Sequence, residues 1–179
     1  MKTLIKSLAA AGAVAATLAF GIASGQSAPA AVKPVAAPNF TGIEHWLNSD
    51  PLTIQQLKGK VVLVDFWTYT CINCIHTLPY VTSWYDKYKD QGLVVVGVHT
   101  PEYPFERNTN NVKDAIKRFN IHYPVAQDNR YATWEAYSNQ YWPAYYLIDK
   151  SGKIVYTHFG EGDYAETEAT IKRLLAQPG

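Results

Sequence analysis

Two cysteines occur in the 179 residues, three apart, in Cys71-Ile72-Asn73-Cys74. The pair admits two uses. As a structural disulfide it closes a four-residue loop, for which chain entropy gives about 2 kcal/mol against about 3 for a 15-residue loop. Such a bridge ties residues that one helical turn already holds. As a redox pair it gains from the same geometry. A thiol in the first turn of a helix faces unpaired N–H groups and the positive end of the macrodipole, which favour the thiolate, the attacking species. Cys71 would be the exposed nucleophile. Cys74, one turn later on the same face, would attack the mixed disulfide and release product.

Other side chains near the pair in sequence extend this chemistry. Asp65 interrupts an apolar run: either it reaches solvent at a strand end, or it is buried with a raised pKa and takes the proton from Cys74. Trp67 and Tyr69 stand just before the cysteines, as an apolar rim for a partner or, for Trp67 equally, as core. His76 and His99 with the cysteines would suit Cu(I) or Zn, although a His beside such a pair is usually a surface residue. The Tyr-rich segments (Tyr123, Tyr131, Tyr137, Tyr141, Tyr145, Tyr146) read as core and rim aromatics.

These residues need elements to position them. Val61 to Phe66 and Leu93 to Val98 are continuous apolar runs, the pattern of strands buried on both faces. Helical spacing from Cys71 to about Lys89, ending near Gly92, makes a strand–helix–strand unit with parallel strands. The spacing predicts a second helix over Asn111–Phe119, capped by Thr109 or Asn110, a short strand Pro124–Gln127 and a short helix Arg130–Ser138. Ala144–Ile148 and Lys153–Phe159 flank turn chemistry and form a hairpin; Tyr164–Ala176 closes the domain, with Ala165, Ala169, Ile171, Leu174 and Leu175 apolar. One α/β domain over residues 39–177 accounts for all of this. Its 47% hydrophobic content and length support a core of its own. Two cysteines exclude a disulfide-rich scaffold and a four-thiolate zinc site. Sixteen basic against 15 acidic residues argue against nucleic-acid binding, and nothing suggests more than a monomer.

The N-terminus carries an address. Lys2 and Lys6 precede an uncharged apolar run, Leu8 to Ala23, and then small residues at Ala23-Ser24-Gly25 and Ala28-Pro29-Ala30. This is the anatomy of a secretory signal over residues 1–30, cleaved near 25 or 30. The alternative, an uncleaved anchor, is disfavoured because the run falls short of the roughly 20 residues a span needs. Removing two lysines leaves the chain nearly neutral. Residues 31–38 read as a Pro/Ala-rich tether. The compartment is then the oxidising periplasm or the cell exterior.

Val61-Val62-Leu63-Val64-Asp65-Phe66-Trp67-Thr68-Tyr69-Thr70-Cys71-Ile72-Asn73-Cys74 resembles the thioredoxin active-site segment. Pro79 matches that family's proline within the CxxC helix, and Trp142-Pro143 its cis-proline loop. The similarity spans nearly all of 39–177 and is nearest to exported thioredoxins of the TlpA/ResA type, particularly the thioredoxin-like domain of DipZ proteins. The resemblance implies a thioredoxin-like α/β fold: a central mixed sheet flanked by helices, with an additional helix and strand before Pro143. It implies proton transfer by Asp65, a groove shaped by Pro143 against Cys71, and an acidic residue tuning the thiols, for which Glu102 matches and Glu106 competes. Ile72-Asn73 in place of Gly-Pro, and the large Trp142 before the proline, depart from thioredoxin. A strongly reducing potential and backbone pairing with substrate therefore do not carry over.

The sequence thus points to an exported thiol–disulfide oxidoreductase that reduces partner proteins and needs no organic cofactor or metal. Its catalytic set would be Cys71, Cys74, Asp65, Pro143 and Glu102, with Trp67, Tyr69 and Trp142 meeting substrate. Its partners are disulfide- or dithiol-containing proteins and, by resemblance, a membrane electron donor. The alternatives are a dithiol oxidase running the same exchange backwards, and a Cu(I)-binding module without turnover.

Overall fold

A computed structural model describes residues 33–178. The signal segment lies outside the described residues. Strand β1 is Val35–Ala36, β2 His45–Leu47, β3 Val61–Trp67, β4 Leu93–His99, β5 Val125–Gln127, β6 Ala144–Ile148 and β7 Lys153–Phe159. The helices are α1 Ile72–Tyr88, α2 Thr109–Arg118, α3 Ala132–Ala136 and α4 Tyr164–Ala176. One mixed sheet runs β1-β7-β6-β3-β4-β5-β2. β3, β4 and β5 are parallel, while β6, β7 and both edge strands are antiparallel to their neighbours. The fold is thioredoxin-like. No helix among the described residues is long and apolar enough to cross a membrane.

The strand period of two sorts β3 into two cores. Val61, Leu63 and Trp67 face a cluster with Cys74, Leu78, Val81 and Trp84 of α1 and Ile171 and Leu174 of α4. Val62, Val64 and Phe66 face the opposite cluster with Trp134, Tyr137 and Tyr146. Every β3 residue is buried, Asp65 included, because both faces of the strand are covered. Asp65, by the same alternation, lies on the α1 side.

Four readings are corrected. Val35–Ala36, in the stretch taken for a tether, pairs with Lys153 and Ile154 and adds an edge strand. The cap of α2 is Asn108, whose extended backbone lets its side-chain oxygen accept from the Asn110 N–H at 2.9 Å. α3 spans five residues, shorter than Arg130–Ser138. On α4 the buried stripe is Thr167, Thr170, Ile171 and Leu174, while Ala165 and Ala169 face outward. Thr167 can be buried because its hydroxyl shares a 2.9 Å hydrogen bond with Tyr156.

Candidate active site

The site is built where β3 ends. Trp67 closes the strand, three residues turn the chain, and Cys71 becomes the N-cap of α1. Cys71 Sγ accepts a hydrogen bond from the Cys74 N–H at 3.1 Å, satisfying one of the donors a helix start leaves free. The two cysteines form a disulfide, with Cα atoms 5.2 Å apart. Their exposures differ: Cys71 is half-buried and Cys74 fully buried. Pro79 sits within α1, where it offers no N–H to the preceding turn, and Gly92 at φ 103° ends the segment after a short 3₁₀ turn.

A cleft of about 300 Å³ opens over Cys71, lined by Thr70, Ile72, Asn73, Glu102, Tyr103 and Trp142. Trp142 donates through its indole N–H to the Thr100 carbonyl at 3.0 Å, joining the loop before β6 to the loop after β4. The Trp142–Pro143 peptide bond is cis, and the Pro143 carbonyl accepts from the Gly160 N–H. A larger depression of about 620 Å³ lies among residues 40–53 and contains no cysteine.

Two carboxylates differ sharply in setting. Asp65 is fully buried and neither of its oxygens has a hydrogen-bond partner. Its cross-strand neighbours are Gly97 and Tyr145. Burial pushes its pKa from 3.8 up to about 8, so the carboxyl is mostly protonated at neutral pH. The same burial raises the Tyr123 and Tyr145 phenols, and the Asp65 charge adds to both. Glu106 is also buried but well served. Its Oε1 accepts from the Thr70 hydroxyl, and its Oε2 from the N–H groups of Glu102 at 2.6 Å and Tyr103 at 3.0 Å. Burial pushes this carboxyl up, but those hydrogen bonds, with one from Thr68, outweigh it and leave the pKa below the ordinary value.

The expected site residues therefore divide. Cys71, Glu102 and Trp142 meet at the cleft, while Cys74 and Asp65 are fully buried on the α1 side of the sheet and Pro143 is buried outside the cleft lining. Trp67 is not at the rim: it is fully buried, edge-on to His99. Tyr69 is nearly buried too, stacked on His99 with its hydroxyl donating to the Phe105 carbonyl at 3.1 Å. Trp67 ends a strand covered on both faces, and Tyr69, two residues on, is packed against His99, so neither ring forms the rim. Ile72 and Tyr103 take the exposed places instead. The carboxylate bonded to the residue before Cys71 is Glu106; Glu102 is exposed. Pro104 and Glu106 mark that helix start in the sequence: proline suits the first position because it has no N–H to satisfy, and a glutamate at the third position accepts from the backbone N–H groups before it. His99 is buried and its pKa falls to about 4, burial outweighing the pull of Glu106, while His76 pairs with Glu161 at the surface. Among the described residues no three His, Cys, Asp or Glu side chains cluster as a metal site.

A dithiol pair at a helix start on a thioredoxin-like sheet, one sulfur reachable and one enclosed, defines a thiol–disulfide oxidoreductase. The chain belongs to the Redoxin family, whose profile matches residues 24–175. It is 52% identical over 148 residues to the protein DipZ of Mycobacterium tuberculosis, covering 80% of this chain and 21% of DipZ. The chain thus spans about a fifth of that relative's length. The thiol-disulfide oxidoreductase YkuV of Bacillus subtilis is 33% identical over 140 residues, covering 78% of this chain and 94% of YkuV. The solution structure of a thioredoxin-like protein in the oxidised form matches with a TM-score of 0.73 and 33% identity, covering 80% of this chain and 97% of that one.

Proposed function

We propose that the protein is an exported reductase of disulfides in partner proteins. Cys71 thiolate attacks one sulfur of the partner disulfide. A Cys71–partner bond forms, the partner S–S bond breaks, and one partner thiol leaves with a proton from water. Cys74 then attacks Cys71 sulfur as a thiolate, its proton passing to the fraction of Asp65 that is ionised, a fraction that grows as pH rises toward about 8. The Cys71–partner bond breaks, the second partner sulfur leaves as a thiolate that takes the proton held by Asp65, and two electrons have moved, leaving the Cys71–Cys74 disulfide for a dithiol protein, the proposed membrane donor, to reduce. Trp142 borders the groove in which the partner lies, and buried Pro143 follows it in the chain. Export rests on the charged and apolar N-terminal segment.

The observation that carries this reading is the asymmetry of the pair. Cys71 is half-exposed with a backbone donor on its sulfur, and Cys74 is enclosed. Cys71→Ser is expected to abolish turnover of a protein disulfide, and Cys74→Ser to accumulate a mixed disulfide visible on a non-reducing gel. Turnover by Cys71→Ser would overturn the mechanism.

The same donor on Cys71 sulfur favours the opposite direction as well, since a stabilised thiolate makes the disulfide a stronger oxidant. The reduction potential, with alkylation trapping in cells, separates the two. A value well below the glutathione poise of about −240 mV and a reduced pool mark the reductase. A value far above it and an oxidised pool mark the oxidase.

A further inference from the structure

The cleft over Cys71 has a one-sided chemistry. Of its lining side chains, Thr70, Ile72, Asn73, Tyr103 and Trp142 are uncharged, and Glu102 alone carries charge. Ile72 is 60% exposed and Tyr103 49%, so apolar surface stands open beside the nucleophile. Tyr103 also lies parallel to Phe105, ring centres 5.7 Å apart, extending that surface along the loop. None of the ion pairs among the described residues involves Glu102.

The rim that carries Glu102 is fixed from beneath. Buried Glu106 holds the N–H groups of both Glu102 and Tyr103. Trp142 bonds Thr100, Tyr131 bonds Pro101 and Tyr69 bonds Phe105, so four side chains pin residues 100–105. A carboxylate on a rim held in this way meets a partner without the ordering cost a mobile loop would add.

We propose that Glu102 is a specificity-determining residue, selecting disulfide-bearing segments that carry a Lys or Arg and an aliphatic or aromatic side chain close to the attacked cysteine. This rests on the reductase reading and names its substrate class. Glu102 acts on the encounter through its charge, and Ile72 and Tyr103 cover the apolar neighbour while exchange proceeds. An exposed charge of this kind changes association rates more than final affinity, and salt screens it.

The test uses the reduced protein in single turnover against two disulfide-linked peptide dimers. They are identical except for Lys or Glu beside the cysteine, and each has Leu on the other side. Each rate is divided by that of dithiothreitol with the same peptide, which removes the intrinsic effect of the charge on the disulfide. The Lys peptide is expected to react about two- to fivefold faster at low ionic strength, in keeping with the modest worth of exposed charge pairs. The preference should shrink with added salt and invert in Glu102→Lys. Equal normalised rates, or a ratio unmoved by Glu102→Lys, overturn the assignment while leaving the reductase reading intact. Failure to reduce either peptide, or the neutral hydroxyethyl disulfide, overturns the reductase reading and this assignment with it.

Discussion

Asp65→Asn makes the sharpest demand on the structure. Asp65 sits mid-sheet in β3 with no partner for either oxygen, and burial lifts its pKa from 3.8 to about 8. At 1.36 kcal/mol per pH unit, ionising it inside the folded protein costs on the order of 6 kcal/mol. Between about pH 4 and pH 8 the folded chain keeps a proton that the unfolded chain has released. Stability from this group therefore falls steadily as pH rises through that window and levels off above it. Asparagine does not titrate. The difference in unfolding free energy between wild type and variant should thus shift by roughly 4 kcal/mol in the variant's favour from pH 5 to pH 9, other groups cancelling. Urea unfolding of the oxidised proteins at several pH values measures it, with m-values checked for equality. Parallel profiles, within about 1 kcal/mol, would refute the buried, partnerless carboxyl. In the reaction, the same variant should slow release of the mixed disulfide far more than alkylation of Cys71. Equal slowing of both steps would remove Asp65 from the proton transfer.

Glu106→Gln should cost about 2 kcal/mol at pH 7, because glutamine cannot serve the Thr70 hydroxyl and two backbone donors with one oxygen. With a folded pKa below the usual range, the carboxylate stabilises above pH 4.5 and loses that effect as pH falls through the folded value. The deficit should close at acid pH, and one constant with pH would count against the clasp. Gly97→Ala places a Cβ 3.0 Å from both Trp67 Nε1 and Tyr123 Cε2, atoms of two fully buried rings. A loss of about 1–3 kcal/mol is expected. An unchanged melting temperature would show that the rings can shift.

The reach of the sequence follows the range of the forces involved. Strand runs, the helix after the cysteines and the β6–β7 hairpin rest on local periodicity and turn chemistry, and their boundaries in the structure lie within a residue or two of those read from the chain. The adjacency of Cys71 and Cys74 is likewise a matter of helical pitch. Sequence alone therefore determined the proximity of the two cysteines, the α/β class and the sheet's central strands.

Tertiary structure decided what depends on who packs against whom. Trp67 and Tyr69, next to the cysteines in the chain, are covered by His99 from another strand and leave the rim to Ile72 and Tyr103. Glu102 and Glu106, four residues apart and competitors in the sequence, are told apart because a 3₁₀ turn, Pro104–Arg107, carries Glu106 inward to Thr70, while Glu102 stays in solvent. Asp65 had two readings in the chain, and only the helices laid over its face of the sheet choose burial. Burial and partnership are sums over residues distant in sequence, so no local pattern encodes them.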